Sequence, residues 1–242
     1  MTIGARIRNE GGSLVQIDPF YENLALRQAA SVTTSQLGPS GRQALIGVAT
    51  IQLSGCNEPL LMVKCDSAYV GLRKRTQSGS TYTWEILAST PVVNIQYWIF
   101  DTTNAAQMAF NLNQGLRIRS PDGTKVIFDS RYKYMRILSV ISLTLGSGPQ
   151  SVTTPINTGF AIALSNPSLM TIVAGGSIGG TNNWLLQHIT RVAGFRTGNG
   201  EVSVAPIETN SFSQSGTGLP PYADGNYGSL QAGALVCDVR NY

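Results

Sequence analysis

The chain has 242 residues, 42% of them hydrophobic and only 12% charged, with 26 glycines. This length suits one large domain or two of ordinary size, and the shortage of Glu and Lys disfavours helical bundles and favours short strands joined by turns. The net charge of +4 is spread thinly, which argues against nucleic-acid binding, and no window of 18 apolar residues is present, which argues against membrane insertion.

The first predicted element is a β-hairpin over residues 4–18, which read GARIRNEGGSLVQID. Two short apolar runs flank Gly11-Gly12, and glycine supplies the positive φ that a tight hairpin turn requires. Residues 115–129, which begin 111 residues later, read GLRIRSPDGTKVIFD, with Asp122-Gly123 at the same place. The sequence therefore predicts the same hairpin twice.

The two copies are identical at eight positions, more than chance provides, and we interpret them as a tandem duplication. The shared glycine allows the tight turn, and the aspartate that ends each hairpin is expected to accept hydrogen bonds from backbone N–H groups. The paired arginines flank an isoleucine on one polar face, where they are solvated, contact the other domain, or pair with an acid of a neighbouring subunit. The identical residues are Gly4, Arg6, Ile7, Arg8, Gly12, Val15, Asp18 and Tyr21, and Gly115, Arg117, Ile118, Arg119, Gly123, Val126, Asp129 and Tyr132.

Further strands are predicted downstream of each hairpin. In the first copy they are 48–53 and 91–100, the latter (PVVNIQYWIF) apolar enough to be buried on both faces. The offset of the repeat aligns Ile51 with Ile162, a slip of three residues then aligns Met62 with Met170, and both copies end in an apolar run that closes on Asp.

The second copy is longer than the first because of an insert. Residues 132–145 (YKYMRILSVISLTL) predict a strand, and 208–229 (ETNSFSQSGTGLPPYADGNYGS) predict a long exposed loop inserted before the last strand. Residues 104–114 predict a short helix where a linker would lie. We therefore expect an all-β protein of two tandem, related β-sandwich-like domains, at 1–110 and 111–242.

Candidate contacts with a partner or receptor are basic or aromatic. The basic candidates are Arg73, Lys74 and Arg75. Neither this run nor the other dense basic run, 131–136 (RYKYMR), matches a nucleic-acid-binding motif. Tyr222 and Tyr227 lie in the predicted loop, where each would offer an apolar face with a polar rim to a sugar ring.

No catalytic residue, metal site or cofactor is predicted. His188 is the one histidine and stands between apolar residues, so a packed residue is the simpler interpretation than a catalytic base. The 13 acids include no distinct carboxylate pair for glycoside hydrolysis. Cys56, Cys65 and Cys237 lack metal-ligand spacing and are expected to be small buried hydrophobic residues, with a Cys56–Cys65 disulfide as the alternative.

The hairpin pattern resembles small virion proteins encoded near the tail-tip and tail-fibre genes of long-tailed bacteriophages. The pattern is G-x-x-I-x-x-x-x-G-x-x-x-[IF]-D followed by an aromatic residue, and most members of that group carry one copy at the N-terminus. Two copies are a departure from it. The matching residues are Gly4, Ile7, Gly12, Ile17 and Asp18, and Gly115, Ile118, Gly123, Phe128 and Asp129.

The resemblance implies a structural component of the tail tip or baseplate, made in the bacterial cytoplasm and incorporated into the virion. Its partners would be other tail proteins and further copies of itself, with a trimer favoured. Three copies of a duplicated chain could then match a threefold tip to a sixfold tail tube. The alternatives are a receptor- or glycan-binding module for host adsorption and, third, an envelope hydrolase.

Overall fold

The computed structural model describes residues 5–8, 14–17, 23–37, 46–108, 115–145, 148–164, 169–177, 183–218, 225–227 and 231–242. Every regular element in these ranges is a β-strand, which confirms the predicted all-β class. The strands are β1 Ala5–Arg8, β2 Leu14–Ile17, β3 Ala25–Thr33, β4 Ser35–Gln36, β5 Gly47–Leu53, β6 Leu60–Lys64, β7 Val70–Ser78, β8 Thr81–Ala88, β9 Asn94–Asp101, β10 Arg117–Arg119, β11 Val126–Asp129, β12 Arg136–Thr144, β13 Gln150–Thr153, β14 Phe160–Leu164, β15 Leu169–Ser177, β16 Asn183–Thr197, β17 Glu201–Thr217, β18 Gly225–Tyr227 and β19 Gln231–Asp238.

Two large antiparallel sheets enclose the main core. One has six strands in the order β12-β19-β14-β6-β9-β3, and the other runs β13-β17-β16-β7-β8-β5-β4, with β15 beside β16 and β18 beside β15. The core between them joins inward side chains of both sheets, such as Ile99 and Val236 from the first and Trp84 and Val204 from the second. The arrangement is a β-sandwich, because each sheet has an apolar inner face that the other covers.

Both halves of the sequence contribute to both sheets, and the six-stranded sheet has the same order read from either end. In the six-stranded sheet β3, β9 and β6 of the first half mirror β12, β19 and β14 of the second. The equivalent strands β6 and β14 pair antiparallel at the centre, with Met62 opposite Ala163. In the other sheet Val70 of β7 lies opposite Phe195 of β16, which brings Gly71 to Gly194. Equivalent strands that run antiparallel are related by half a turn, so the duplicated halves form an internal pseudo-dimer.

The strand registers establish which residues are equivalent. Ala25 lies opposite Asp101 and the register shifts after Leu26; in the second half Arg136 lies opposite Asp238 and the register shifts after Ile137. The bulge therefore recurs at the offset of 111 residues that the hairpins show. Asp101 and Asp238 are equivalent, as the shared apolar runs that close on Asp indicated.

Beyond the hairpin and the following strand, the predicted alignment is wrong. Ile51 lies on β5 in the nine-stranded sheet, whereas Ile162 lies on β14 in the six-stranded sheet. The registers of β6 and β14 against β9 and β19 make Leu61 the counterpart of Ile162. Apolar residues at alternate positions are interchangeable between buried strands, so a few identities do not fix which strand is which.

Several predicted elements are confirmed and two are corrected. The strands predicted at 48–53, 91–100 and 132–145 correspond to β5, β9 and β12. β9 is buried on both faces from Tyr97 to Asp101, whereas Asn94 and Gln96 are exposed. Residues 208–217 continue β17 instead of starting a loop, because all of them except Thr209, which lies at a register shift, pair with the long strand β16. Residues 104–108 form a turn and no helix, whereas 109–114, which include the predicted domain boundary, lie outside the described residues. The boundary stays a prediction.

A second apolar cluster lies on the outer face of the six-stranded sheet. Its buried members include Met62, Trp98 and Phe100. The segment before β12 crosses over to the start of β3, where the Met135 N–H donates to the Leu24 carbonyl at 2.9 Å. Both residues pack against this cluster. The crossing therefore fastens the two ends of the sheet to each other and encloses a second core.

The half-turn between the halves disfavours the idea that duplication adapts a threefold tip to a sixfold tube, and that idea stays a prediction. Neighbouring units of a sixfold ring differ by a sixth of a turn about one common axis. Halves that are joined through antiparallel β6 and β14 differ by half a turn. Three such chains would present their halves in alternating orientations, so they would not offer six equivalent contacts to a tube.

Candidate assembly surfaces

The second-copy hairpin, β10 with β11, forms as predicted and turns at Gly123, whose φ is +72°. Asp122 holds the turn, because its carboxylate accepts hydrogen bonds from the Ser120 hydroxyl, from the Thr124 N–H at 3.1 Å and from the Thr124 hydroxyl at 2.9 Å. These bonds, that of Ser120 first, lower the pKa of Asp122 to about 2. The first-copy hairpin, β1 with β2, has the same antiparallel pairing.

Asp129, at the end of the second-copy hairpin, is a buried carboxylate bound by two arginines. Arg117 donates through Nε at 2.7 Å, and Arg131 donates through Nε at 2.8 Å and Nη2 at 2.6 Å. The Arg131 backbone N–H also donates to this carboxylate at 3.1 Å, which confirms the predicted role of Asp129 as a backbone acceptor. Arg117 thus pairs with an acid inside its own hairpin.

Asp238 makes the same fork at the end of the last strand. Arg240 donates from its backbone at 3.0 Å, from Nε at 3.0 Å and from Nη2 at 2.8 Å, while Arg136 lies 3.4 Å away. The side-chain hydrogen bond from Arg240 is the main cause that lowers the pKa of Asp238. The spacing Asp-x-Arg is common to residues 129–131 and 238–240. This repeated spacing was the one sequence signal for Arg240, which the prediction missed.

The two forks are joined into one cluster at one end of the molecule. The Lys133 ammonium donates to the Asn241 carbonyl and the Tyr242 hydroxyl donates to the Tyr134 carbonyl. The Arg136 guanidinium lies 5.5 Å from the centroid of the Tyr242 ring. We call this cluster the basic end. Its cations are Arg117, Arg131, Lys133, Arg136 and Arg240, and its carboxylates are Asp129 and Asp238.

The outer edge of β12 is open over most of its length. Among the described residues, β19 is the one strand that pairs with β12, and it occupies the inner edge. Two large apolar side chains on β12 face solvent, Ile137 at 53% and Val140 at 70% exposure. An edge strand with unpaired N–H and C=O groups and exposed apolar side chains is a template for a strand of another chain. The sequence offered no signal for this exposure, because RILSVISLT predicts a core strand.

The predicted binding residues fall in different parts of the fold. Arg73, Lys74 and Arg75 lie on β7, exposed, with Arg73 paired to Glu85 at 2.5 Å. Tyr227 lies on β18 opposite Thr171, and its side chain is outside the described residues. Tyr222 lies outside them altogether. No described contact brings the basic run and Tyr227 together.

The other predicted residues can be placed as follows. In the first copy, Arg6 is on β1 opposite Gln16, and Gly4, Gly12, Asp18 and Tyr21 lie outside the described residues. In the second copy, Tyr132 lies 6.4 Å from Tyr134 between ring centroids, and the Cβ position of Gly115 is 2.8 Å from the Ser130 hydroxyl.

The cysteines and the histidine are buried. Cys56, Cys65 and Cys237 are buried thiols that form no disulfide, which was the main expectation for them. Burial raises the pKa of Cys237 to about 12. His188 is packed on β16 at 8% exposure. Within the described ranges no group of three potential metal ligands is present, and no helix could cross a membrane.

Comparisons of the chain with protein families, curated proteins and solved structures found no match.

Proposed function

We propose that this chain is a structural component of a bacteriophage tail, in the tip or baseplate region, and that it works by assembling with other chains. The observation that carries the assembly role is the open edge of β12, with Ile137 and Val140 exposed. The placement in a phage tail draws on the resemblance of the duplicated hairpin. The two units share both sheets, which gives a rigid block suited to a building element.

Particle assembly tests the proposal. A phage that encodes Val140→Lys should give fewer intact tails than one that encodes Val92→Lys, because a charge on a strand edge blocks β-pairing. Val92 is the matched control, since it is 69% exposed and lies outside the strands. The proposal would be refuted if the phage that encodes Val140→Lys made normal tails, or if purified particles lacked this chain.

Receptor binding at the tail tip is the second candidate, and the length of β16 and β17 favours it. These strands have 15 and 17 residues, and the part of β16 farthest from β7 pairs with β15 instead. The resulting sheet extension exposes Leu185 at 42%. Leu185→Asp should then reduce host adsorption and leave particles intact, whereas loss of particles would favour assembly.

A further inference from the structure

A pocket opens between the two sheets in the first half of the chain. Its volume is about 310 Å³, which is at the lower end of the range of small-ligand pockets. Its walls are apolar, and its one charged lining residue is Arg75. The lining includes Pro59, Leu61, Leu72, Trp84 and Leu164.

A β-bulge in β7 aims Arg75 at this pocket. Leu72 lies opposite Ile86, and after the register shift Arg75 lies opposite Trp84. Ile86 and Trp84 are buried in the main core, and residues that face each other across a strand pair lie on the same side of the sheet. Regular alternation from Leu72 would have turned Arg75 outward, so the bulge brings it to the inner face.

The guanidinium of Arg75 is held in position, and no carboxylate of the described residues forms an ion pair with it. It lies 5.0 Å from the centroid of the Tyr82 ring, which stacks on Trp84. Within the described part of the chain its hydrogen bond is a long one, 3.5 Å to the Pro59 carbonyl. Arg73, two residues away, is instead paired with Glu85. Most N–H donors of Arg75 are therefore available at the mouth of an apolar pocket.

The second half carries a larger residue at one of the positions that line the pocket. The strand registers put Phe160 where the first half has Pro59. Phe160 is only 2% exposed. The fold thus accepts a phenylalanine at this position, where the first half has a proline in the pocket wall beside an arginine.

We propose that this pocket binds a small amphipathic anion. The apolar body of the ligand lies against the leucines and Trp84, and its carboxylate, sulfonate or phosphate group pairs with Arg75. Arginine presents a planar fork of donors to such oxyanions, and the apolar wall strengthens the pairing by excluding water. This site is separate from the open edge of β12 and does not depend on the tail role.

The test uses the full chain with 8-anilinonaphthalene-1-sulfonate as the fluorescent probe, displaced by decanoate or by decanol. The two competitors share their alkyl chain and differ in charge. Decanoate should displace the dye about tenfold better than decanol, and Arg75→Gln should remove that difference. Arg73→Gln is the matched control and should preserve it, because Arg73 pairs with Glu85 outside the pocket.

Two pocket-filling variants keep the test decisive. Pro59→Phe introduces the phenylalanine that the second half has at this position, and Leu164→Trp fills the opposite wall. Each variant whose unfolding curve matches that of the wild type should bind the dye about tenfold more weakly. Equal displacement by decanoate and decanol would overturn the proposal. So would an equal effect of Arg73→Gln and Arg75→Gln, or full dye affinity in a folded, filled variant.

Discussion

Met62 and Ala163 lie directly opposite each other where β6 pairs with β14. Met62 occupies in the first half of the chain the position that Ala163 occupies in the second half. The pseudo-twofold axis of the molecule therefore passes between these two residues. In the other sheet Val70 of β7 pairs with Phe195 of β16, which places Gly71 beside Gly194. The duplicated units thus form one body with two joined sheets.

Gly71, where β7 meets β16, should tolerate no side chain. A Cβ on Gly71 would lie 2.5 Å from the Ala193 carbonyl oxygen, which is backbone and cannot rotate away. Gly71→Ala should lower the free energy of unfolding by about 1–3 kcal/mol, as overpacking does. Urea denaturation measures the change. Gly148→Ala is the control, since its Cβ would meet no described atom within 4 Å; an equal loss in both variants would contradict the junction.

The Asp238 fork should make stability depend on pH. The folded-state pKa of Asp238 is lowered, so its stabilisation is complete above the unfolded carboxyl pKa of about 3.9 and is lost as the pH falls through the lower folded value. Asp238→Asn should cost about 1–3 kcal/mol at neutral pH. The difference from wild type should shrink in acid.

Denaturation curves from neutral to acid pH check this prediction. Arg240→Gln should reproduce the trend, because it removes the main donor to the same carboxylate. A stability difference that stays constant over the whole range would show that the ion pair does not carry it.

Self-association should depend on the open edge. Val140→Lys should lower the mass measured by light scattering at high protein concentration, because a buried lysine opposes strand pairing. Val92→Lys, equally exposed on a bend, should leave the mass unchanged. If both variants associate like the wild type, β12 is not the surface through which copies meet.

The local features could be predicted from the sequence, and the topology could not. Asp122-Gly123 between apolar runs specifies a hairpin within a few residues, and the apolar run 91–100 specifies a strand that is buried on both faces from Tyr97 onward. The pairing of Met62 with Ala163 joins residues far apart in the chain, and no local pattern encodes it. The Ser- and Gly-rich residues 208–217 looked like a loop because their own propensity is low, yet pairing with β16 makes them a strand.

The candidate sites divide in the same way. The sequence marked Arg73, Lys74 and Arg75 as one basic run, but the bulge in β7 turns Arg75 alone to the inner face. A bulge is a property of two paired strands, so the run itself carries no sign of it. The exposure of Val140 was equally hidden, because it depends on which strand lies at the edge of the sheet.

Photo-cross-linking in assembled phage tests the proposed function most directly. A photoreactive residue in place of Val140, with one in place of Val92 as control, is activated in purified particles and its adducts are identified by mass spectrometry. The account predicts adducts from position 140 with a tail protein or a second copy of this chain, and few from position 92. Particles that lack the chain, or equal adducts from both positions, would contradict it.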